Sequence, residues 1–123
     1  DLSELDGLRD TSTIHAATLD LSNYSGDCFE SLHPLLVHHV NYGTQRDYPA
    51  DYNSAPLATL LSASSTGGIN SPVNVKTFLQ DFVHWNGATH LQLRMQLDGD
   101  DSGGAYACMM EWSNPVLNVT YQP

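Results

Sequence analysis

Residues 73–97, Val-Asn-Val-Lys-Thr-Phe-Leu-Gln-Asp-Phe-Val-His-Trp-Asn-Gly-Ala-Thr-His-Leu-Gln-Leu-Arg-Met-Gln-Leu, change their hydrophobic period within one turn. Val75, Phe78, Leu79, Phe82 and Val83 recur at spacings of three and four, which places them on one face of a helix. Asn74 stands where an N-cap belongs, its side chain able to accept an orphan backbone N–H. Asn86-Gly87 ends the helical pattern with two residues that tolerate a left-handed backbone. Leu91, Leu93, Met95 and Leu97 then alternate with Gln92, Arg94 and Gln96, the period of a half-buried strand. The stretch predicts one short amphipathic helix over about residues 74–85, followed by a central strand.

The rest of the chain reads as short strands and loops. Residues 14–21 set Ile14, Ala16, Thr18 and Asp20 against His15, Ala17, Leu19 and Leu21, which predicts a strand. Residues 35–42 and 57–62 are further strands, and residues 105–112 and 115–121 are the last two, broken at Ser113-Asn114-Pro115. Residues 23–34 and 43–56 hold glycine, proline and polar residues and read as loops. Short strands at this spacing predict an all-β sandwich or jelly roll carrying one helix. A chain of 123 residues builds one such domain over 1–123, not two.

Charge narrows the partners. Four basic residues against 14 acidic ones give a formal charge of −10. Nucleic acid and anionic membrane surfaces need clustered Lys and Arg, so neither is expected as a partner. No apolar run reaches the roughly 18 residues of a membrane span. Many Ser, Thr and Asn with few charges suggest an extracellular or cell-surface protein. There, Cys28 and Cys108, about 80 residues apart, would form a disulfide. Loop-closure entropy would make it worth about 4–5 kcal/mol before strain. Two buried thiols are the alternative.

Four motifs in order carry a family resemblance. Asp1-Leu2-Ser3 with Thr13-Ile14-His15-Ala16-Ala17-Thr18-Leu19 resembles the F-D-L-S…I-x-x-A-T-L-x-L passage of DNRLRE-type domains. Asp51-Tyr52-Asn53-Ser54-Ala55-Pro56 resembles their T-W-N-x-x-P loop, with Tyr52 in place of Trp. Val73-Asn74-Val75-Lys76-Thr77 through Trp85 resembles their D-V-T-x-x-V-x-x-W helix, with Asn74 in place of Asp. Asn114-Pro115-Val116-Leu117-Asn118-Val119-Thr120-Tyr121 resembles their closing x-P-x-L-x-V-x-Y strand. The resemblance implies a jelly-roll β-sandwich of secreted and surface proteins, serving as a structural or carbohydrate-binding module. It brings no catalytic residues, and it implies one or two strands before the passage matched by Asp1. Those would come from another segment of the polypeptide or from a neighbouring chain, the alternative being a variant fold that closes without them. Strand donation repeated head to tail builds a fibre.

Several side-chain groups invite chemistry. Asp98, Asp100 and Asp101 crowd one Gly-rich turn and could supply some of the six to eight oxygens that Ca²⁺ takes, though the downstream Glu of an EF-hand is missing. No other cofactor is expected. His38 and His39 are adjacent in a strand, point to opposite faces and cannot chelate together. His84 and His90 flank the helix end, but no third zinc ligand can be named. The six histidines make the charge pH-sensitive below neutrality. Aromatic rings suit sugar stacking, and the candidates are Tyr42, Tyr48, Tyr52, Trp85 and Trp112. Of these Tyr42, Tyr48 and Tyr52 lie in or beside one loop and form the expected carbohydrate-binding face. Asn23-Tyr24-Ser25 and Asn118-Val119-Thr120 are N-glycosylation sequons, with Asn118 needing to face outward. No nucleophile elbow or phosphate loop is present, so an enzyme is not expected. The leading expectation is a structural or assembly module that self-associates by strand complementation. The other is a polysaccharide-binding module of a larger secreted protein.

Overall fold

A computed structural model describes residues 8–26, 34–43, 50–84, 91–97 and 110–123. Strand β1, Thr13–Asp20, pairs antiparallel with β8, Val116–Gln122, and with the two-residue β5, Val73–Asn74. Strand β3, Leu35–Val40, is flanked by β4, Ala58–Ala63, and β6, Gln92–Leu97, both antiparallel. A small ribbon joins β2, Tyr24–Ser25, to β7, Glu111–Trp112. These three antiparallel sheets and helix α2, Lys76–His84, make an all-β sandwich-like architecture with a short helix.

One apolar cluster draws on both larger sheets and the helix. Ile14, Ala17 and Leu19 come from β1, Leu35 and Val37 from β3, and Leu79, Phe82 and Val83 from α2. Val37, Ile69 and Leu79 have no exposed surface. The helical spacing read from the sequence therefore describes the buried face of α2, with Phe78 half-buried at its margin. Burying a Leu or Phe side chain contributes about 1.5–3 kcal/mol, which holds a helix too short to persist alone.

Asn74 caps the helix in a slightly different way from the expected one. It ends β5, and its Oδ1 accepts the Lys76 N–H at 3.0 Å. The helical ladder itself starts at Val75, whose carbonyl accepts the Leu79 N–H. The side chain thus satisfies a first-turn donor while the Asn74 backbone is still extended.

Four sequence expectations are corrected. Strict alternation in β1 fails at His15. The pairing runs Ile14 with Tyr121, then Ala16 with Thr120, leaving His15 extra in a bulge. Ile14 is thereby buried on the same face as Ala17 and Leu19, while Ala16 and His15 are exposed. The segment 23–34, read as a loop, contains β2. The segment 43–56, also read as a loop, contains a one-turn helix α1, Ala50–Asn53. Arg94, placed by alternation on the polar face of its strand, is buried at 8% exposure. The Asn86-Gly87 stop and residues 105–109 of the expected strand lie outside the described residues.

Candidate functional site

The two flanks of the β5–β1–β8 sheet are finished differently. Beside β1, β5 pairs with Thr18 and Leu19, and Val75 donates its N–H to the Ala17 carbonyl at 3.0 Å. Beyond that point Gln80 of α2 takes over. Its Oε1 accepts the Ile14 N–H at 2.6 Å, and its Nε2 donates to the Ser12 carbonyl at 3.0 Å. Nε2 also donates to His84 Nε2 at 2.8 Å, so both amide hydrogens are used. A side chain thus stands in for a neighbouring strand and blunts this edge.

The opposite flank is β8. Its inward residues Leu117, Val119 and Tyr121 lie across from Leu19, Ala17 and Ile14. The β1 partners are fully buried, whereas the three β8 residues are only half-buried. Val116, Asn118, Thr120 and Gln122 are exposed. Among the described residues, no strand pairs with the second edge of this seven-residue strand. A row of main-chain donors and acceptors beside a half-covered apolar face is the geometry that an added strand fits.

On the other sheet, β3 sends its adjacent histidines to opposite sides, as alternation requires. His39 packs inward, edge-on to Phe78 and Phe82 with ring centroids 5.1 and 5.2 Å away. Desolvation there holds its imidazole pKa below the ordinary value. His38 turns to the far face, where its Nδ1 accepts from Arg94 Nη2 at 3.0 Å. Arg94 Nη1 donates to the Ser54 carbonyl at 2.9 Å. The segment 53–56 covers this guanidinium, and a shallow cleft of about 270 Å³ opens between Asn53, Pro56, Leu36 and Gln96. An Arg N–H bonds to His38 Nδ1 only through that nitrogen's lone pair.

The expected site residues are placed as follows. Tyr42 is half-buried just after β3, and its N–H donates to Gln92 Oε1 at 2.7 Å. Gln92 Nε2 in turn donates to the Gly43 carbonyl, which ties the end of β3 to β6. The backbone of Tyr52 lies in α1; its side chain and all of Tyr48, and with them the expected three-tyrosine face, lie outside the described residues. Asp98, Asp100 and Asp101, Cys28 and Cys108, and Trp85 and His90 also lie outside. Among the described residues no group of three His, Cys, Asp or Glu converges. Asn23 is exposed, and Asn118 sits on the outward face of β8. Asp20, at the end of β1, accepts from the Ser22 hydroxyl and N–H, which lowers its carboxyl pKa.

Sequence reasoning missed Gln80 and Arg94. Their polar side chains follow a solvent-side period, and nothing local signals that each meets a partner 40 to 68 residues away. Among the described residues no helix is long and apolar enough to cross a membrane. No protein-family model, curated protein or solved structure matches the chain.

Proposed function

We propose that this chain is a non-enzymatic extracellular assembly module, of the jelly-roll type that its DNRLRE-like motifs suggest, and that copies join by strand addition at β8. The observation that carries the reading is the contrast between the two flanks of one sheet. The β1 flank is occupied by β5 and Gln80, while Leu117, Val119 and Tyr121 of β8 are half-covered beside an edge with no strand among the described residues. A strand added there would bond to main-chain groups and bury the rest of that apolar row. The charge of −10 opposes close approach of copies, so association should strengthen with salt as the repulsion is screened.

The test is sedimentation velocity and electron microscopy of the full chain across protein and salt concentration. The reading expects polymers that persist on dilution and grow more abundant with salt. The double variant Val116→Lys, Thr120→Lys places charge on the outward positions of the edge strand and should abolish them with little change in Tm. A chain that stays monomeric throughout, or polymers indifferent to the double variant, would overturn it.

A further inference from the structure

The ribbon of β2 and β7 continues the antiparallel pairing of β1 with β8 past Asp20 and Val116, outside the seven residues of β8 proposed for assembly. Tyr24 is paired with Trp112 and Ser25 with Glu111. The Ser113 N–H donates to the Asn23 carbonyl at 3.3 Å and extends the pairing by one residue. Opposed residues of an antiparallel pair share a face, so the two aromatic side chains leave the ribbon on the same side. Both are half-buried. Each polar tip is tied down on the protein side: Trp112 Nε1 donates to the Leu21 carbonyl at 3.0 Å, and Tyr24 Oη donates to Asn70 Oδ1 at 3.0 Å. The rings are therefore held in place before any ligand arrives, and their remaining exposed surface is apolar.

Around these rings the chain opens a cleft of about 470 Å³, within the roughly 300–1,000 Å³ span of small-molecule sites. The other lining residues are Asn23, Ser25, Glu111 and Ser113, all exposed. They offer an amide, two hydroxyls and a carboxylate, a set that both donates and accepts hydrogen bonds. Among the described residues no Lys, Arg or His lines the cleft, and Glu111 adds negative charge to a chain already at −10. Phosphates, sulfates and uronic acids are disfavoured by that field. We infer that the Tyr24–Trp112 cleft binds a neutral oligosaccharide, its C–H face against the anchored rings and its hydroxyls on Asn23, Ser25, Glu111 and Ser113. This surface is distinct from the one around Tyr42.

Asn23 is also the acceptor of a sequon, so the neutral sugar could belong to a glycan carried on Asn23 itself or to a separate polysaccharide. The experiment separates the two sources. Bacterially produced, unglycosylated full chain is titrated with cellohexaose, xylohexaose, mannohexaose, laminarihexaose and chitohexaose, and with oligogalacturonate as the anionic comparison. Binding is followed by tryptophan fluorescence and by amide exchange. At least one neutral hexaose should give saturable binding that slows exchange at residues 23–25 and 111–113, and Trp112→Ala should weaken it at least tenfold. The exchange map locates the site even where that variant fails to fold. For chain made in a glycosylating host, a glycan seated in the cleft should slow the same amides relative to Asn23→Gln and block added hexaose. The inference is overturned if no neutral hexaose binds and the Asn23 glycan leaves those amides unchanged. Tighter binding of oligogalacturonate, or protection that maps elsewhere, would overturn it as well.

Discussion

Gln80 and Ile14 are joined by a 2.6 Å hydrogen bond in which the Ile14 main-chain N–H donates to the Gln80 side-chain carbonyl. The same amide donates to the Ser12 carbonyl, so one side chain makes both contacts that a paired strand would offer at this point. The neighbouring Ile14 side chain is buried in the core, and Ser12 is buried as well. A helix packed at a sheet margin can therefore serve as its edge, provided a carboxamide is carried at the right turn.

Gln80→Met keeps the shape of the side chain and removes its bonds to Ile14, Ser12 and His84. It should lower stability by about 1–3 kcal/mol, since the Ile14 N–H loses its partner in a partly buried place. Urea denaturation measures the loss, and exchange of the Ile14 amide should accelerate beyond that of its neighbours. A change below about 0.5 kcal/mol, the ordinary surface range, would mean that water replaces the amide without penalty.

Arg94 binds His38 with one nitrogen and Ser54 with the other, a use of the guanidinium fork that an ammonium cannot repeat. Arg94→Met should lower stability by about 1.5–3 kcal/mol, the range for hydrogen bonds to charged groups. Arg94→Lys should recover less than half of that. Full recovery by Lys would show that charge alone, not the fork, holds the segment 53–56 in place.

His39 supplies a pH dependence with a defined sign. Burial against Phe78 and Phe82 lowers its folded pKa below the unfolded value near 6.5. The unfolded chain then binds the proton more readily, so the contribution is present above about pH 6.5 and is lost as pH falls through the folded pKa. Tm should decline on acidification from pH 7.5 to 5.5, and the decline should be shallower in His39→Leu. Equal slopes in the two proteins would remove His39 as the source.

Two glycines separate backbone strain from crowding. Gly43 has φ +66°, with nothing within 4 Å of an added Cβ, so Gly43→Ala should lose about 1–2 kcal/mol from conformation alone, and Gly43→Asn less. At Gly68 an added Cβ would lie 2.7 Å from the Cβ of buried Ala63. Gly68→Ala should lose about 1–3 kcal/mol by overpacking, and Ala63→Gly in the same chain should restore part of it. Thermal unfolding of the four variants distinguishes the two causes.

The elements governed by local period were legible in the sequence. The buried face of α2, the strands β3 and β6, and the existence of β8 all follow from spacing alone. What escaped depends on partners far along the chain. Arg94 has the period of a solvent-facing residue, yet it is buried and bonds to His38 and to Ser54 of the segment 53–56. The ribbon of β2 and β7 is two residues long on each side, too short for any periodicity, and it forms where Tyr24 meets Trp112. On β8 Asn118 is exposed, the outward position that its sequon requires.

The bulge in β1 has a consequence for chain length. With His15 unpaired, Ile14, Ala17 and Leu19 share the core face although their numbering breaks the two-residue rhythm. Excising His15 would restore a regular order, Ile14, Ala16, Ala17, Thr18, Leu19, with every inward residue still inward. Excising Thr18 instead would set Ala17 beside Leu19 and turn one of them to the solvent. The strand thus contains one residue of slack at a known place, where a deletion should be tolerated and the same deletion three residues later should not.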